Sequence, residues 1–91
     1  MSDVTDNTAR QRFELDVGVG EPAFIAYERD GGTITLVHTI VPEAASGQGA
    51  GSRLVRGALA IIRVQGLRVV PQCSFVAAYM ERHPEERDLL A

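Results

Sequence analysis

The chain has 91 residues, of which 45% are hydrophobic and 23% charged, and its formal net charge is −3. So short a chain argues for one domain around one modest core, and its composition excludes a disordered polymer. The acidic balance excludes attraction to nucleic acid by bulk electrostatics, the single cysteine excludes an internal disulfide or a multi-cysteine zinc site, and no apolar run nears the ~18 residues that a membrane helix needs.

Residues 1–10 (MSDVTDNTAR) are polar and aperiodic, and read as a flexible tail ahead of a single domain over residues 11–91. In 13–17, Phe13, Leu15 and Val17 alternate with Glu14 and Asp16, the period of a half-buried strand. Residues 18–21 turn the chain. Residues 22–28 (PAFIAYE) form a second strand, with Phe24, Ala26 and Glu28 on one face and Ala23, Ile25 and Tyr27 on the other. Asp30-Gly31-Gly32 is a hairpin signal, because glycine accepts the positive φ of a tight turn. The β-branched run 33–41 (TITLVHTIV) is then a third, more deeply buried strand, giving three antiparallel strands in the first 41 residues.

A helix is expected over Ala50–Gln65. At ~100° per residue, Leu54, Val55, Ala58, Leu59, Ile61 and Ile62 share one face, opposite Arg53, Arg56 and Arg63. Gly66 stops it. Residues 67–70 (LRVV) make a short strand, parallel to the third because a helix crosses between them. Pro71 ends that strand, Ser74 is placed to cap a second helix over 75–82, and Pro84 forces its end near His83. The residues after Pro84 form one more turn or a tail. The expected fold is α+β: a mostly antiparallel sheet, a crossover helix, a parallel last strand and a short second helix.

Between the third strand and the first helix stands Gly47-Gln48-Gly49-Ala50-Gly51. The first turn of a helix leaves N–H groups without partners, the helix dipole adds positive partial charge, and glycines let phosphate oxygens come close. The dipole contributes only ~0.3–1 kcal/mol, so several amides and Arg53 or Arg56 must add to it. By itself such a loop is as often a plain turn. Two nucleotide motifs are excluded. A phosphate loop needs Gly-Lys-Ser/Thr, and all nine basic residues here are arginine. The dinucleotide motif needs a strand–helix–strand opening, whereas antiparallel strands come first here.

The order of strands, the loop GQGAGSRLV and the segment AAYMERHPE resemble the GNAT superfamily of N-acetyltransferases. More closely, HTIVPEAASGQGAGSRLVRGAL followed by GLRVVPQCSFVAAYMERHPE is similar to its minimal single-domain GNAT-like family. The resemblance covers nearly everything after the tail. It implies that amides of the loop from Gly47 and Gln48 through Gly49, Ala50 and Gly51 to Ser52, with Arg53 beside them, hold the diphosphate of coenzyme A. It also implies that the pantetheine arm lies near Ile40 and Val41, where the third strand splays from residues 67–70. The superfamily's usual Gln or Arg three residues before the middle glycine is Ser46 here, a departure that touches only that first contact.

Three residues are candidates for chemistry. Cys73 follows the last strand at a helix start, a place that lowers a thiol pKa, although a buried apolar cysteine fits the same position. The resemblance favours the former, since the family carries a cysteine in this Pro-x-Cys-x-Phe context. His38 is the only histidine in the sheet and has the range of a general base, with a structural role as the alternative. The family has a His-Thr pair there. Tyr79 lies four residues after Phe75 on one helix face, which suits the core; the resemblance offers it as the group that protonates the departing coenzyme thiolate. His83 reads as a helix terminator, and the family's aromatic residue after Pro-Glu is Glu86 here.

The expected function is transfer of an acetyl group from acetyl-coenzyme A to an amine, on a protein or peptide. The alternative is a non-catalytic acyl-coenzyme A binding module or sensor. His38, His83 and the scattered acids show no metal-ligand spacing, so no metal is expected. No nucleic-acid or membrane partner is expected either, and the default location is cytoplasmic.

Overall fold

The computed structural model describes residues 3–91. Five strands form one sheet in chain order: β1 (Val4–Asn7), β2 (Arg12–Leu15), β3 (Ala23–Asp30), β4 (Thr33–Ile40) and β5 (Arg68–Pro71). The first four pair antiparallel, and β5 pairs parallel to β4. Helix α1 (Ala50–Gln65) crosses between β4 and β5, and α2 (Ser74–Arg82) follows β5. The α+β architecture, the crossover helix and the parallel last strand are those expected from the sequence.

The segment read as a tail is corrected in part. Val4 pairs with Leu15 and is buried, and the Tyr27 hydroxyl donates to Asp6 Oδ1 at 2.6 Å. Four residues of period-two pattern are too few to stand out in a polar stretch; a hydrogen bond from a tyrosine 21 residues away helps hold them. Residues 1 and 2 of that tail lie outside the described residues.

Ala23, Ile25 and Tyr27 of β3 face the core, the second of the two faces read from the sequence. α1 lays Leu54, Val55, Ala58, Leu59 and Ile62 on them, all fully buried. Its end is set by Gly66 at φ 71°, whose N–H bonds the Arg63 and Ile62 carbonyls. Truncating Leu59 to alanine would cost about 2–5 kcal/mol, a large part of what a domain this size has. Cys73 rather than Ser74 occupies the N-cap position of α2, one residue earlier than the sequence predicts, without a side-chain cap bond. Beyond it Pro84–Leu89 forms a 3₁₀ turn that Arg63 clamps through Asp88 at 2.6 Å and Glu86 at 3.0 Å.

Two irregularities in β4 set which of its side chains reach each face and where its edge comes free. The pairing with β3 shifts so that Ala26 meets His38 and Tyr27 meets Leu36, leaving Val37 as an extra residue. Such a bulge reverses the alternation beyond it. The ladder to β5 runs from Thr33–Arg68 to Leu36–Pro71 and stops. The splay expected against residues 67–70 therefore begins later, past Pro71. Residues 37–40 continue along that edge without a strand partner among the described residues, and the last backbone bond across is Cys73 N–H to Leu36 O at 2.8 Å.

Candidate functional site

The glycine loop follows a 3₁₀ turn at Glu43–Ala45. Gly47 and Gly49 have φ of 80° and 74°, and nothing lies within 4 Å of the Cβ either would carry. Their glycine identity is therefore set by backbone conformation beneath open space. The first bond of α1 is Arg53 N–H to Gly49 O at 3.1 Å, and no side chain caps the helix. The amides of Ala50, Gly51 and Ser52 precede that bond, so this end is a ready donor cluster.

Gly51 is a glycine for a different reason. A Cβ there would lie 2.7 Å from Phe75 Cζ. Phe75 is 40% exposed and is the second residue of α2, so its ring joins the starts of the two helices. Sequence reasoning missed this contact; no local pattern links positions 24 apart.

At the start of α2, Cys73 Sγ lies 3.3 Å from Thr39 Oγ1. The thiol is 8% exposed. Burial pushes its pKa up, but the Thr39 hydroxyl and the Val76 and Phe75 amides outweigh this and hold it below the ordinary value. The thiol makes no side-chain cap bond of full hydrogen-bond geometry at this helix start. Thr39 was also missed as a thiol partner, because the bulge at Val37 is what turns it to the core face opposite Ile25.

The same bulge turns His38 to the outer face, where its ring meets Phe24 edge-on at 6.2 Å and 70°. Ile40 is 47% exposed on that face, and Val41 is half-buried. None of Phe24, Ala26, His38, Ile40 and Val70 is buried, so no helix packs over this face among the described residues, and the Arg12 guanidinium lies over the Phe24 ring, 4.3 Å from its centroid. Cys73 and His38 thus border the β4 edge from opposite faces.

Tyr79 lies on α2 beyond Cys73 and belongs to the same buried cluster. Six residues on from Cys73, it sits ~9 Å farther along the helix axis, lining a cleft of about 390 Å³ with Ser52, Arg53, Arg56 and His83. Its ring stacks on His83 at 4.0 Å and 24°, and burial followed by the nearby Glu86 charge raises its pKa. Arg53 lines this cleft beside the loop, and neither it nor Arg56 makes a salt bridge among the described residues. Among the described residues, no three histidine, cysteine or acidic side chains are grouped to hold a metal.

Comparison with known proteins bears on this arrangement. Residues 12–89 match the family model for GCN5-related N-acetyl-transferases. The fold is similar to the NMR solution structure of a GCN5-like protein from Staphylococcus aureus, with a TM-score of 0.72 and 26% sequence identity over 100% of this chain and 91% of that one.

Proposed function

The chain belongs to the GCN5-related N-acetyltransferase family, and we propose that it takes an acetyl group from acetyl-coenzyme A and delivers it to an amine on a protein or peptide. The observation that carries this reading is the uncapped start of α1 under an open glycine loop, adjoining the unpaired edge of β4. Amides of the segment Gly47–Ser52 would bind the diphosphate, with Arg53 adding charge. Ile40 and Val41 would line the arm that leads to the thioester. The open space over Gly47 and Gly49 fits such a group, since a side chain there would stand in its way.

When bound, the coenzyme supplies an activated acetyl carbonyl. The chain's residues do the rest. A backbone N–H near Val41, at the end of β4, would polarise that carbonyl. His38, on the open face, would accept the proton that the attacking amine gives up. Cys73 borders the reaction from the other face as pocket wall or acid. The helix-free outer face around Phe24, His38 and Ile40 suits an extended polypeptide acceptor better than a small enclosed one.

Direct transfer is the mechanism proposed, and it has a sharp test. Incubation with acetyl-coenzyme A alone should release no stoichiometric free thiol. With no lysine in the chain, any internal label would sit on sulfur or oxygen; stoichiometric acetylation of Cys73 would replace direct transfer by a double displacement. Activity is tested by thiol release with a panel of peptides and polyamines. Tight cofactor binding without turnover on any of them would leave the sensor reading in its place.

A further inference from the structure

The outer face of the sheet carries a charge pattern that acetyl transfer by itself does not require. Arg12, Ala26 and His38 stand opposite one another on β2, β3 and β4, and the next row along is Glu14, Phe24 and Ile40. Two inter-strand steps separate the ends of each row by ~10 Å. The small Ala26 side chain leaves a notch between a cation and the candidate base. Phe24 closes one end of this notch and packs against both of its walls. The Arg12 guanidinium lies 4.3 Å from the ring centroid, and the His38 ring stands edge-on at 6.2 Å from it.

Arg12 is held in place as well as stacked. Its Nε donates to Glu14 Oε2, and Asn7 Nδ2 donates to that same oxygen at 3.2 Å. Glu14 thus engages only Nε, and neither Nη group meets a partner among the described residues. Beyond the other end of the notch, Glu28 is exposed opposite Thr35 and forms no salt bridge among the described residues. A cation on one wall and an acid at the mouth suit a ligand that carries both charges. We propose that Arg12 selects the acceptor: the favoured substrate is a lysine with a glutamate or aspartate two residues away, its carboxylate on the Arg12 Nη groups while the lysine amine lies at His38. The inference rests on the acetyl-transfer reading above. In an extended peptide, side chains two apart share one face at ~7 Å, a spacing that lets both reach into the notch. A stacked guanidinium presents its paired N–H donors to a carboxylate at little ordering cost, and Glu28 offers the incoming ammonium its counter-charge.

The test is the rate of thiol release from acetyl-coenzyme A with three peptides. All share one central lysine and blocked ends, and they carry glutamate, glutamine or arginine two positions from the lysine on both sides. The wild type should prefer the glutamate peptide to the glutamine peptide by about fivefold in kcat/KM, mostly through KM, the size of a partly shielded ion pair. The arginine peptide should be the slowest. Arg12→Gln should bring the glutamate-to-glutamine ratio to one or below, since Glu14 stays behind, and Arg12→Glu should reverse the order of the three. Each ratio is taken within one protein, so a partial loss of folded material cancels. Equal kcat/KM on the glutamate and glutamine peptides in the wild type, or a preference that survives Arg12→Gln, overturns the inference and spares acetyl transfer. No turnover of any of the three, with coenzyme A still bound, overturns the inference and the peptide acceptor together.

Discussion

Replacing Gly51 by alanine tests whether the third glycine of the loop is kept for Phe75. In most helices the change stabilises, because glycine lies about 1 kcal/mol below alanine in helix propensity. Gly51 has no positive φ to oppose it. The new Cβ would, however, lie 2.7 Å from Phe75 Cζ and 3.2 Å from Cε1. Ordinary carbon contact is ~3.5–4.0 Å, so the ring must swing by about 1 Å. That forces a strained rotamer at about 0.5–1.5 kcal/mol and loses part of its packing. The two effects nearly cancel, and Gly51→Ala should leave the urea midpoint close to wild type. In a Phe75→Ala background the clash is gone, and the same substitution should stabilise by about 1 kcal/mol, or ~4–8 °C in Tm for a domain of this size. The cycle should therefore show a coupling of roughly 1 kcal/mol. Equal effects of Gly51→Ala in the two backgrounds would refute the reasoning.

Deleting residues 1–7 should lower Tm by several degrees, since it removes β1 and the Tyr27–Asp6 bond; an unchanged Tm would restore the tail reading. Burial, and then the bond to Asp6, push Tyr27 up to about 12, so its protonated form favours the fold. That contribution is complete below the unfolded value near 10 and is lost as pH rises through about 12, which paired melts of wild type and Tyr27→Phe across that window would reveal. Cys73 titrates below an ordinary thiol despite its burial; its thiolate absorbance should appear at lower pH than in the unfolded chain and move up in Thr39→Val. The linked stability is lost as pH falls through the folded value, so Cys73→Ser should lose ground to wild type as pH rises toward the ordinary thiol range.

Much of this fold was legible because period and punctuation agreed. The six apolar positions of α1, closed by Gly66, gave both of its ends, and Asp30-Gly31-Gly32 gave the β3–β4 turn. β1 was hidden because its inward side chains are Val4 and the polar Asp6, whose place depends on Tyr27. The bulge was hidden for a deeper reason. Alternation from Ile34 and Leu36 would put His38 inward and Thr39 outward; one unpaired residue at Val37 exchanges them. A pairing register belongs to two strands at once, and the run 33–41 alone contains no sign of it. The glycine loop precedes a helix, as its spacing predicts, but the sequence does not distinguish its three glycines. Gly47 and Gly49 answer to φ, and Gly51 answers to a ring 24 positions away.

The central claim is that the bare amides at the start of α1 receive the coenzyme diphosphate. An NMR titration of the labelled protein with coenzyme A addresses it directly. Saturable amide shifts should be largest at Gln48, Gly49, Ala50, Gly51 and Ser52, followed by those along the free edge of β4 at Thr39 and Ile40. Silence at those amides under saturating coenzyme, or shifts confined to another part of the sheet, would contradict the account.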